Sequence, residues 1–257
     1  PEYMPTKHTF RKKWGQNFMT DTNLLMKIIR HVDPQPTDRI LEIGPGEGAL
    51  TEKLLPMVDK LAAIEIDPLL IKHLNARSDF TDVHIIHGDV LWLELESLPF
   101  DLPVRVIGNI PYNITSPILF WLTEQHAHWQ DAFLMMQKEV AERLSAEVGT
   151  KAYGRLTVMI HAFMDVEYQF TIPPEVFIPR PKVHSAIVRF IPKKVPLISA
   201  ERYERFEKLV GAAFSKRRKM LRNSLQGYQL SEFGKDFDMT RRPETLTVNE
   251  FVSLLPE

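Results

Sequence analysis

Asn109-Ile110-Pro111-Tyr112 combines side chains suited to an amino-bearing base, and it follows the apolar run Val104-Arg105-Val106-Ile107-Gly108. The Asn amide oxygen accepts a hydrogen bond from an exocyclic amine. Pro111 fixes its own φ and biases Ile110 toward an extended backbone, which holds nearby carbonyls at a set angle. Tyr112 offers a flat face for a base swung out of its helix. An adenine amine is a poor nucleophile because its lone pair is delocalised into the ring. Acceptors that grip its hydrogens favour a pyramidal nitrogen whose lone pair can attack, and that chemistry needs no thiol, metal or strong base. The plainer reading is a strand-end turn with Pro as punctuation and Tyr as packing.

A second motif lies upstream. Arg39-Ile40-Leu41-Glu42-Ile43 has the pattern of a buried strand and runs into Gly44-Pro45-Gly46-Glu47-Gly48, after which Ala49 to Met57 opens a helix. Strand, glycine-rich turn and helix form the context in which free N–H groups meet an anion. The next apolar run, Leu61 to Ile66, carries Glu65 close to the ~20-residue offset of a carboxylate that holds ribose hydroxyls. The glycine spacing is G-x-G-x-G, not the dinucleotide G-x-G-x-x-G, and Glu47 stands where a pyrophosphate would be repelled. A zwitterionic methionine moiety suits this turn better, which points to S-adenosylmethionine over a nicotinamide cofactor.

A third run, Val83-His84-Ile85-Ile86-His87, ends in Gly88-Asp89. Asp89 can accept from the cofactor's adenine amine, or simply cap the next turn. Glu65, Asp89 and Asn109 then stand at three strand ends along one edge of a parallel sheet, where open α/β folds bind ligands.

Gly15-Gln16-Asn17-Phe18, Glu42-Ile43-Gly44-Pro45-Gly46, Asn109-Ile110-Pro111-Tyr112, Gln137-Lys138-Glu139-Val140, Phe177 to Val183 and Phe214 to Leu225 together resemble the ribosomal RNA adenine dimethyltransferases of the KsgA type, across nearly the whole chain. That resemblance implies N6,N6-dimethylation of two adjacent adenosines near the 3′ end of 16S ribosomal RNA, in the small ribosomal subunit, with a part in subunit biogenesis. It implies that Asn17, Met19, Gly44, Glu65, Asp89 and Asn109 contact S-adenosylmethionine, and that Tyr112 and Phe177 flank the target adenine beside Asn109. Ala152-Tyr153-Gly154-Arg155-Leu156 is also family-like but has no role assigned. Small Gly108 is compatible with room for a monomethylated amine to rotate. Rival readings are an adenine methyltransferase for large-subunit RNA or DNA, an assembly factor using the fold as a scaffold, and a nicotinamide-dependent oxidoreductase.

Of the 257 residues 44% are hydrophobic, which suits a folded core, and no apolar stretch approaches the ~20 residues of a membrane span. The absence of Cys excludes disulfides and thiolate chemistry. His126 and His128 sit two apart, on different helix faces, so no metal site is expected. A cytoplasmic monomer without a signal peptide fits these features. The net charge of −1 conceals a segregation. Residues 31–101 hold fourteen acids against five Lys and Arg, whereas residues 191–224 hold ten Lys and Arg against three Glu. Residues 178–194 carry Arg180, Lys182, Arg189, Lys193 and Lys194 with no acid. Clustered basic charge is the footprint of phosphate recognition, and Lys216, Arg217, Arg218, Lys219 and Arg222 are the candidate RNA contacts, although four consecutive bases cannot share one helix face.

The elements that must position these residues follow from the alternation of helical patterns with apolar runs at 39–43, 61–66, 83–87, 104–108 and 131–136. This predicts an α/β, Rossmann-like doubly wound sheet over residues 1–192. Leu156 to Phe163 and Ser185 to Ile191 are expected to extend it, the latter as an antiparallel edge. Pro192 to Pro196 reads as a linker to a small all-helical domain over 193–257. Helices there are expected at 199–214, 218–226 and 247–255, the last opening on the capping-box pair Thr247 and Glu250. Residues 1–20 are expected to form an arm that orders when cofactor or RNA arrives.

Overall fold

A computed structural model of the chain describes residues 18–19 and 21–257, without the side chains of Phe18 and Tyr112. Asn17 and nearly all of the expected N-terminal arm lie outside the described residues. In chain order the elements are β1 (Phe18–Met19), α1 (Thr22–Val32), β2 (Arg39–Ile43), α2 (Ala49–Leu54), β3 (Lys60–Glu65), α3 (Pro68–Asn75), β4 (Val83–His87), β5 (Val104–Asn109), α4 (Thr115–Glu124) and β6 (Trp129–Gln137). Then follow α5 (Lys138–Leu144), α6 (Arg155–His161), β7 (Met164–Ile172), β8 (Phe177–Ile178), β9 (Ser185–Pro192), α7 (Tyr203–Ser215), α8 (Leu221–Ser224), α9 (Glu232–Asp236) and α10 (Val248–Leu254).

By their contacts the residues divide into two units, one of residues up to Lys138 with Tyr168–Phe190, the other of Glu139–Glu167 with Ile191–Glu257. Residues 139–167, which the sequence places with the sheet, thus group with the C-terminal helices. One of the ties is Tyr153, 1% exposed, whose hydroxyl donates to the Leu246 carbonyl at 2.7 Å.

The seven-stranded sheet has the order β4-β3-β2-β5-β6-β9-β7. Strands β4, β3, β2, β5 and β6 run parallel, and β9 joins β6 antiparallel. All but the first residue of β2 and of β3 are buried, which their near-continuous apolar sequences require of strands covered on both faces. Helix α1 buries Leu24, Leu25, Ile28, Ile29 and Val32 as one stripe and is started by Asp21, whose Oδ1 accepts from the Leu24 N–H at 2.8 Å.

Two sequence expectations need correction. Leu156 to Phe163 adds no strand: it lies largely in helix α6. Four residues of that helix in succession are buried, from Thr157 to Ile160, so the run has no periodicity to tell helix from strand. Ser185 to Ile191 is antiparallel as expected, but β9 is internal and β7 is the edge. In the C-terminal unit the Thr247 and Glu250 capping box forms as read: Glu250 N–H bonds Thr247 Oγ1 at 3.1 Å and Thr247 N–H bonds Glu250 Oε1 at 3.0 Å. Residues 216–220 are a turn between α7 and the short α8, in place of a longer helix from Arg218.

A buried ion network ties β5, β6 and β9. Asp131, 1% exposed, accepts from Arg105 Nε at 2.9 Å and from Arg189 Nη2 at 3.1 Å, while Arg105 Nη1 reaches Asp38 at 2.8 Å. Removing the carboxylate leaves the buried Arg105 with Asp38 and backbone carbonyls alone and takes the Asp131 partner from Arg189. Asp131→Ala is therefore expected to cost about 3–5 kcal/mol, read as a lowered urea midpoint with an unchanged slope; a loss under about 1 kcal/mol would make the pairing incidental.

Candidate functional site

Because β4, β3, β2 and β5 are neighbours and parallel, their C-terminal ends share one edge. The register sets Ile43 beside Ile64 and Gly108, and Glu65 beside His87. Gly44, Glu65, Asp89 and Asn109, four of the residues singled out in the sequence, are brought to this edge.

Gly44 follows β2 with φ 67°, and its N–H donates to the Ile64 carbonyl at 3.0 Å. A Cβ on Gly44 would stand 2.7 Å from the Asn109 carbonyl oxygen. Glycine is required here both for the left-handed backbone and for the approach of the two strand ends. Gly108 plays a different part from the one expected. It is buried, and a Cβ on it would meet Ile43, Leu134 and Ile110 at 3.2–3.4 Å. Its missing side chain serves packing between strands and opens no space for an amine.

Glu65 is 7% exposed and its carboxylate is fixed by backbone donors: Gly46 N–H to Oε1 at 3.3 Å, and Ile66 and Asp67 N–H to Oε2 at 2.8 and 3.1 Å. Burial pushes its carboxyl above the usual range, opposed by these bonds to the ionised form. Oε1, with one donor, retains acceptor capacity. Asp89 does cap the turn at Val90–Trp92, through Oδ1 to the Leu91 N–H at 3.0 Å. Pro111 leads into a 3₁₀ turn at Tyr112–Ile114 that begins α4; the Tyr112 side chain lies outside the described residues.

Glu42, which the sequence reading passed over, lies on β2 beneath the glycine turn at 3% exposure, with Thr51 Oγ1 of α2 donating to its Oε1. Its signal was an acid inside an otherwise apolar strand. Burial raises its carboxyl to about 7, lowered somewhat by the Thr51 bond and raised again by the charge of Glu65. The consequence for stability has a definite sign. Below the unfolded value near 4.5 both states hold the proton. As pH rises toward 7 the unfolded chain ionises first, so folding stability falls by up to about 3 kcal/mol and stays reduced above. Glu42→Gln, which keeps the acceptor for Thr51, is expected to remove that decline. Unfolding free energies of both proteins at pH 5 and pH 8 test this, and parallel losses would refute it.

Phe177 on β8 is 2% exposed and belongs to the core cluster, against which Met19 packs from the β1 partner position. Of the basic segment 178–194, Arg180 pairs with Glu175, Arg189 with Asp131, and Lys193 with Asp165. These cations are engaged within the protein. Lys216, Arg218, Lys219 and Arg222 are exposed, whereas Arg217 is half-buried and donates to the Thr150 carbonyl at 3.1 Å. No helix among the described residues is long and apolar enough to cross a membrane.

The family model described as ribosomal RNA adenine dimethylase matches residues 7–254. Ribosomal RNA small subunit methyltransferase A of Prosthecochloris aestuarii is 44% identical over 254 residues, 98% of this chain and 95% of that protein. The protein of the same name from Legionella pneumophila is 43% identical over 253 residues, 96% of this chain and 97% of its own. Among solved structures, a dimethyladenosine transferase from Plasmodium falciparum is similar with TM-score 0.78 and 29% identity, covering 92% of this chain and 95% of that one. The 23S rRNA methyltransferase ErmE is similar with TM-score 0.70 and 28% identity, covering 92% and 97%.

Proposed function

The chain belongs to the ribosomal RNA adenine dimethylase family, and on that premise we propose that it uses S-adenosylmethionine to dimethylate N6 of two adjacent adenosines near the 3′ end of 16S ribosomal RNA. The observation that carries the reading is the shared strand edge, where Gly44 and the Asn109 carbonyl meet at a distance no side chain fits, with Glu65 and Asp89 alongside.

The residues fit the cofactor chemically. Glu65 supplies a carboxylate oxygen for ribose hydroxyls, Asp89 an acceptor for an adenine amine, and the glycine turn an approach to backbone. Asn17 and Met19 are proposed to complete this half of the site. S-adenosylmethionine supplies an electrophilic methyl on sulfur. The protein's share is to hold the acceptor base: the Asn109 amide oxygen takes a hydrogen from the adenine amine and directs the nitrogen lone pair, while Tyr112 stacks on the ring. Phe177 is proposed to flank the other face. No residue is assigned as a base, since the amine becomes acidic only as it is methylated and water can take the proton. Positioning and electrostatics supply the rate. The reading puts a monomeric enzyme in the cytoplasm, acting on the small ribosomal subunit and contributing to its biogenesis.

Large-subunit RNA is the second reading, favoured by the likeness to the 23S rRNA methyltransferase ErmE. The curated relatives at 43–44% identity carry the small-subunit name and favour the first. Calorimetric titration separates the cofactor classes: S-adenosylmethionine is expected to bind and NADH not to. Binding of NADH alone would overturn the methyl-transfer reading of the glycine turn.

A further inference from the structure

The cations of the C-terminal unit divide by what they hold. Arg155 pairs with Glu207 at 3.0 Å, Arg202 donates to the Leu255 and Pro256 carbonyls, and Arg241 pairs with Glu250. Arg217 belongs with these. Its Nη2 donates to the Thr150 carbonyl at 3.1 Å, and its Nη1 lies 3.7 Å from where a Cβ on Gly154 would be. Lys151, Lys216, Arg218, Lys219 and Arg222 are exposed and make no ion pair or side-chain hydrogen bond among the described residues.

Lys151 sits in an unusual place for a solvent lysine. Residues 147–151 are all exposed, yet the turn they form is tied to the rest of the unit at three points. Gly149 N–H donates to the Glu244 carbonyl at 2.7 Å, the Tyr153 hydroxyl to the Leu246 carbonyl at 2.7 Å, and Arg217 to Thr150. The family-like run Ala152 to Leu156 thereby finds a use: Tyr153 anchors the turn, and Gly154 lies in the range of ordinary contact with the Arg217 guanidinium. A turn already ordered in this way loses little freedom when a partner docks. It also presents Lys151 next to the residue that Arg217 grips, in the same unit as Lys216 and Arg218.

We propose that the 147–154 turn is part of the RNA-docking surface, with Lys151 taking a backbone phosphate together with Lys216, Arg218 and Lys219, and with Arg217 as a positioning residue that holds the turn. This rests on the RNA substrate of the proposed function, and the test is built to separate the two. The affinity of unmethylated small ribosomal subunits is measured over a range of salt concentrations. Lys151→Ala is expected to make the slope of log affinity against log salt shallower by about 0.7–0.9, and Lys151→Arg to keep it. Arg217→Ala should act as Lys151→Ala does, and combining them should add little to either. Lys151→Ala and Arg218→Ala, in contrast, should sum. Affinity for S-adenosylmethionine should be the same in all of them.

An unchanged slope in Lys151→Ala, with a shallower one in Arg218→Ala, would overturn the role of the turn and leave the RNA reading intact. Full additivity of Lys151→Ala with Arg217→Ala would overturn the positioning role. Unchanged slopes in every variant, Arg218→Ala included, would remove the RNA reading of the whole surface. If Arg217→Ala loosens the fold, seen as a lowered melting temperature, the exposed Lys151→Glu carries the test, with a larger loss of affinity than Lys151→Ala expected.

Discussion

Gly44→Ala is expected to lose S-adenosylmethionine affinity by about a hundredfold or more, the equivalent of about 3 kcal/mol. The new Cβ would stand 2.7 Å from the Asn109 carbonyl oxygen, inside any tolerable contact, and the backbone at φ 67° resists a side chain in its own right. A left-handed alanine costs about 1–3 kcal/mol in strain, and relief requires the two strand ends to part. Both ligand groups are displaced by that movement, so cofactor affinity and turnover should fall together. Thermal unfolding on the same sample gauges how much of the strain the fold absorbs. Binding at the parent's affinity in a folded variant would mean that the cofactor lies away from this edge.

Asn109→Ala is expected to lower single-turnover methylation by about 10²–10³-fold, the usual result of deleting a group that acts on the reacting atoms in the transition state. RNA affinity should change little, because the grip on the amine strengthens only as the methyl is transferred. Asn109 ends β5, and its side chain does not belong to the hydrophobic core. The fold should therefore tolerate the change. Equal losses in RNA affinity and rate would turn Asn109 into a docking residue, and a normal rate in a folded variant would remove it from the chemistry.

The sheet and its candidate edge were legible because parallel strands covered on both faces leave long apolar runs, and because polar residues at their ends stand out. Edge strand β7 was missed although Met164, Val166, Tyr168, Phe170 and Ile172 alternate with polar residues throughout. Its half-exposed pattern was overshadowed by the apolar run before it, which folds as a buried helix too short to display a period. Glu42 went unread although an acid inside an apolar strand is visible in the sequence, because its raised carboxyl comes from burial that only the fold supplies. Arg217 shows the opposite limit: its neighbours in sequence are solvent cations, and only the turn at 216–220 and the Thr150 carbonyl direct it inward. Phe177 combines both difficulties, since a ring that is 2% exposed serves the core whether or not a base later stacks on it.

The most direct test of the central claim is to incubate the protein with isotope-labelled S-adenosylmethionine and, separately, with small and large ribosomal subunits from cells lacking the activity, and to digest the RNA to nucleosides. The proposed function requires label in N6,N6-dimethyladenosine from the small subunit, confined to two adjacent positions near the 3′ end of its RNA. Label in the large subunit alone, or in any base other than adenine, would contradict it.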